Sequence, residues 1–73
     1  MAAAYAMKRR MKILGASVRA HRRFLGLSVE QLARRAHLHK NAIWVIEQGH
    51  GNPCYSTLLA LAKVLHCTFE ISP

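Results

Sequence analysis

Apolar residues recur along this chain at helical spacing, interrupted by glycines and short polar stretches. Leu14, Val18 and Leu25, with Ile13 and Ala16 beside them, keep a helical period while Arg19, Arg22 and Arg23 fall on other faces. This predicts a first helix over about residues 11–25, stopped by Gly26, where a helix end calls for a left-handed residue. Ser28 and Gln31 are spaced as a capping box and open a second helix that ends near Ala36, with Leu32 and Ala33 on its core face. A third helix follows after a turn of about three residues, over 39–48, with Ile43 and Ile46 on its buried side and Gly49 closing it. Residues 49–53 read as a loop by turn chemistry. The fourth helix, over 55–66, carries a broad stripe of Leu58, Leu59, Leu61, Ala62 and Leu65. Beyond it the chain alternates, with Phe69 and Ile71 on one side, a short strand pattern.

Composition narrows what such a chain can do. At 73 residues it builds one small core, and 52% hydrophobic residues are enough to fold it. Eleven lysines and arginines against three acids give a net charge of +8, which points to a polyanionic partner, nucleic acid before an anionic membrane surface. Two cysteines are too few for a disulfide framework, and no apolar run is long enough to span a membrane. The apolar start followed by Lys8, Arg9 and Arg10 reverses the order of a signal peptide. The expected location is therefore the cytoplasm. No serine has a visible acid–base partner for nucleophilic catalysis, so an enzyme is not expected. His37, His39, His50 and His66 with Cys54 and Cys67 match no zinc spacing, and neither a metal nor a cofactor is expected. The five histidines would add positive charge below about pH 6.5.

The informative feature is the pair of short helices within about residues 28–48. Crossed at a wide angle, the first braces the second on a convex surface, where it fits a major groove about 12 Å wide. The stretch Leu14, Gly15, Val18, Arg19, Arg22, Gly26, Leu27, Ser28, Gln31, Leu32, Ala33, Ala36, Leu38, Ile43, Ile46, Glu47, Gly49, Asn52, Pro53, Leu58, Leu61, Ala62 and Leu65 resembles the Cro/cI-type (XRE) helix-turn-helix family, the lambda-repressor-like DNA-binding domains. The likeness covers about residues 13–68. It implies an all-α, compact bundle of four or five helices, with the strand pattern as an appendage. Carried over position by position, it implies a base-reading edge of His39, Lys40, Asn41 and Val45. Trp44 shares the exposed face of Lys40 and Asn41, the bland alternative being a core tryptophan. The chemistry is independently sensible: lysine donates to guanine, asparagine pairs with adenine, valine meets a thymine methyl. Phosphate contacts are implied at Ser28, Gln48, His50 and Asn52, and an ion pair between Arg22 and Glu47 joins the first and third helices.

The chain also departs from the family. Val29 replaces a glutamine that contacts phosphate in many relatives, His37 stands where the turn usually has a left-handed glycine, and His39 is a poor residue to cap the third helix. The division expected is a flexible basic arm over 1–11, the helix-turn-helix domain over 12–66 and a tail over 67–73. The arm is either a solvated tail or a segment that follows the DNA backbone. An unpaired strand is a liability, so Phe69 and Ile71 are candidate dimerisation residues, and a two-fold homodimer suits a palindromic site. The function expected is a sequence-specific repressor on double-stranded DNA. The alternative is an antitoxin whose main task is to hold a toxin protein and which regulates itself through DNA.

Overall fold

The computed structural model describes residues 2–51 and 53–67, with side chains from Lys8 onward. These residues form an all-α bundle of four helices: α1 (Ala2–Phe24), α2 (Val29–Ala36), α3 (Lys40–Glu47) and α4 (Tyr55–Leu65). Asn52 and the segment holding Phe69 and Ile71 lie outside the described residues, as does the strand pattern.

The last three helices fall within a residue or two of the sequence expectation, whereas α1 starts nine positions earlier than Met11. The cause is local. Four alanines and the run 8–12 favour helix, and nothing breaks the chain before Gly15. At about 1.5 Å per residue α1 is about 35 Å long, close to the 37 Å long axis of the molecule.

The core is Val18, Leu32, Ala33, Ala36, Ile43, Ile46, Leu61 and Leu65, with Leu14, Val29 and Leu38 packed around it. Helix α3 lies against α1 and α2, and α4 closes the other side against the same two helices. Two leucines depart from their expected places: Leu25 and Leu59 are exposed, and Leu27 is buried instead. The reason for the first is Gly26, whose φ of 70° turns the chain so that Leu27, not Leu25, points inward. Leu59 lies at the outer edge of a stripe wider than the core can cover.

Each helix ends on a left-handed residue, and the amide that follows it bonds back to a carbonyl five residues earlier. Leu27 bonds Arg22, Leu38 bonds Ala33, His50 bonds Val45 and Cys67 bonds Ala62, at 2.8 to 3.1 Å. The left-handed residues are Gly26, His37, Gly49 and His66. His37 thus takes the conformation that the turn demands, with φ 56° and ψ 42°. Gly15 serves a different purpose. A Cβ there would collide with the carbonyl oxygen of Ile46 and sit 3.0 Å from that of Glu47, so α1 and α3 cross backbone to backbone.

Two substitutions in these features act in opposite directions in thermal melts. Gly15→Ala gains the usual helix preference of about 0.5–1 kcal/mol, yet it forces two helices apart and lowers stability by about 1–3 kcal/mol net. His37→Gly relieves a left-handed side chain and raises stability by about 1 kcal/mol.

Candidate nucleic-acid interface

Helix α3 owes its position to charge as much as to packing. Glu47, at its last turn, receives two hydrogen bonds from Arg22: Nε to Oε2 at 2.7 Å and Nη2 to Oε1 at 2.9 Å. The third arm of the guanidinium, Nη1, donates to the carbonyl of Leu27 at 2.9 Å. Both side chains are largely removed from water, 12% and 5% exposed. The Glu47 carboxylate in turn raises the Arg22 pKa further, chiefly through its hydrogen bond and against the effect of burial. One arginine therefore ties α1, α3 and the turn before α2 into a single frame.

The opposite side of α3 is open. Ile43 and Ile46 are buried, while His39, Lys40, Asn41 and Trp44 are exposed, Trp44 to 57%, and Val45 is half-buried. The helix is about 12 Å long, and its diameter of about 10–12 Å suits a major groove about 12 Å wide. Its first residues are supported by His39, whose Nδ1 accepts from the Asn41 amide at 3.2 Å. His39 thus does cap the helix despite its type. An accepting Nδ1 fixes the proton on Nε2, which faces outward as a donor.

The positions implied as phosphate contacts divide between three places. His50 lines a cleft of about 330 Å³ with Asn41, Val45 and Gly51, so one loop residue shares a recess with two reading positions. Gln48 lies one turn beyond Trp44 and lines a second cleft of about 400 Å³ with Lys12, Arg19, Arg23 and Glu47. Ser28 is the N-cap of α2. Its hydroxyl accepts from the Gln31 amide at 3.0 Å and its amide donates to Gln31 Oε1 at 2.8 Å, the reciprocal box the spacing predicts. That leaves the Ser28 hydroxyl proton and the next amides free, beside Glu30 in the same turn. Val29 packs against the core and provides no polar contact.

The sequence reading missed Lys12, Arg19 and Arg23 as neighbours of Gln48. Their spacing on one helix was visible, but their closeness to the end of α3 depends on the Gly15 crossing. It also missed the character of Cys54. At the start of α4 its Sγ lies 3.1 Å from Ser56 Oγ and 3.2 Å from Thr57 Oγ1. These hydroxyls, with the Thr57 amide, lower the thiol to about 7. Burial pushes Cys67 the other way. Among the described residues no three His, Cys, Asp or Glu side chains converge on a metal-sized site, and no helix is long and apolar enough to cross a membrane.

A short helix braced from behind by two others and bare in front is the form of a helix-turn-helix DNA-binding domain. Residues 13–70 match the helix-turn-helix domain family, and the chain belongs to it, in its Cro/cI form. It is similar to the control protein C.SmaI of Serratia marcescens, 42% identical over 55 residues. That stretch is 75% of this chain and 66% of the relative, so the chain spans about two-thirds of the relative's length.

Two outcomes follow from the frame and from the thiol. Arg22→Ala leaves a buried carboxylate unpaired and costs about 3–5 kcal/mol, a large share of the whole stability of a domain this size, whereas Arg22→Met with Glu47→Leu costs far less in denaturant titrations. Alkylation of Cys54 by iodoacetamide speeds up as pH rises through about 7, because the thiolate is the nucleophile, while Cys67 reacts slowly throughout. Ser56→Ala with Thr57→Ala removes the donors and shifts that rise to higher pH.

Proposed function

We propose that this protein is a repressor that binds a palindromic operator as a dimer, inserts α3 in the major groove and occludes a promoter. The observation that carries the reading is the eight-residue α3 with Lys40, Asn41 and Trp44 bare on its outer face, on a chain of charge +8. Lys40 donates to guanine O6 and N7, Asn41 pairs bidentately with adenine, and Val45 meets a thymine methyl. His39 adds its outward Nε2–H, and Trp44 packs against the groove wall. Ser28, Gln48, His50 and Asn52 take phosphates on either side and set the register without reading sequence. The family's two-fold logic and the relative's description as a control protein support a regulator acting on paired half-sites. Phe69 and Ile71 are the proposed contacts between subunits.

Selection of bound duplexes from a random pool at about 150 mM salt tests this directly. The expected product is a palindrome with half-sites about one helical turn apart, on which Asn41→Ala loses about 1–3 kcal/mol of discrimination. Log affinity falls against log salt with a slope of about −4 to −7 per dimer. A pool that stays unenriched while binding at low salt overturns specific recognition.

A further inference from the structure

Helix α1 carries seven lysines and arginines and no acid between Ala2 and Phe24. Arg22 is spent on Glu47. Of the remainder, Lys8, Lys12, Arg19 and Arg23 are all exposed and lie within about 60° of one another around the axis. Between Lys12 and Arg19 the stripe skirts the place where the end of α3 crosses α1 at Gly15, so its two halves flank the end of α3. Lys8 with Lys12, and Arg19 with Arg23, are like charges four apart, an arrangement that repels and weakens a helix on its own. Among the described residues, none of the four has an ion-pair partner. The two carboxylates there are Glu47, already clamped, and Glu30, in the first turn of α2.

The stripe is continuous with the reading face. Lys12, Arg19 and Arg23 line the 400 Å³ cleft with Gln48, which follows Trp44 by one helical turn. The backbones meet here as well, since a Cβ on Gly49 would lie 3.1 Å from Lys12 Cα. From Lys8 to Arg23 the stripe runs about 22 Å, the rise of about six base-pair steps along a duplex. A membrane surface fits less well. Among the described residues the large apolar side chains exposed on α1 are Ile13 and Phe24, three turns and about 16 Å apart with only Ser17 and Ala20 between them, which is no continuous apolar face to insert.

We propose that the Lys8–Lys12–Arg19–Arg23 face of α1 is a second phosphate-binding surface, which holds the backbone of the same duplex that α3 enters. This rests on the DNA-binding reading above and adds a distinct element to it. This exposed face of α1 acts as a rigid rail for the phosphate chain. The like charges that repel within it are neutralised when the duplex is bound, so binding also firms the helix.

The test compares full-length wild type with K12Q/R19Q/R23Q and with a control of equal charge loss on α2 and α4, R34Q/R35Q/K63Q. Log affinity is measured against log salt on a mixed-sequence duplex of about 30 base pairs, with helicity followed by circular dichroism. The stripe's contacts add to the slope of α3 and its loop, so the stripe variant is expected to flatten the wild-type slope by about 2–3 per chain and the control by less than about 1. R19K/R23K keeps the wild-type slope. Should the triple variant lose helix, R19Q and R23Q alone decide, each expected to remove about 1 from the slope. Equal flattening in stripe and control variants, or none in the stripe variant, overturns the rail while leaving DNA binding intact. Stripe-dependent binding to anionic lipid vesicles with an unchanged duplex slope overturns it in favour of a membrane. A wild type without salt-dependent duplex binding fails the DNA reading itself.

Discussion

Helices of eight residues do not stand alone in water, because nucleating them fixes several residues for each hydrogen bond gained. Both α2 and α3 are of that length, so the whole surface offered to a partner is borrowed from its supports. The decisive support is the place where α1 meets α3. There Gly15 gives up its side chain to let two backbones touch, and one helical turn or two later Arg22 grips Glu47 with two hydrogen bonds. The close crossing sets the distance between the helices, and the bidentate pair sets their rotation. Neither alone would aim the outer face of α3, since packing tolerates sliding and a lone salt bridge tolerates tilting.

The same junction explains why the front of α3 can be so bare. Ile43 and Ile46 are satisfied from behind by Val18, Leu32 and Leu61, and α4 reaches the reading edge only at Thr57, in the cleft beside Asn41 and Val45. Cleft residues such as Asn41, Val45 and His50 then sit in a shallow recess whose walls are fixed by core packing. The site is built on a rigid frame although its own residues touch little.

What could be read from the sequence follows the range of each interaction. The Ser28–Gln31 box, Gly26 and Gly49 are local signals, and the structure has them where spacing puts them. The buried pair Ile43 and Ile46 was legible for the same reason, and by elimination it left Trp44 outside. Leu25 and Leu27 were misassigned because a left-handed glycine between them changes which leucine faces in, which periodicity cannot see. The start of α1 was missed because small and basic residues serve equally in an arm and in a helix. Gly15 could be noticed as part of a resemblance, but its reason lies in two carbonyls thirty residues away. The cap made by His39 was judged from residue type, whereas the ring geometry decides it.

Trp44 is the one tryptophan in the chain, and it stands outside the core on the exposed side of α3. In most small domains the indole is an internal gauge that reports whether the fold is intact. Here more than half of it is in water already, 57%, so its emission changes less on unfolding than that of a core indole would. A surface laid against α3 takes it out of water and stacks or quenches it. The molecule thus carries an optical indicator of its own occupancy, separated by position from any indicator of its stability.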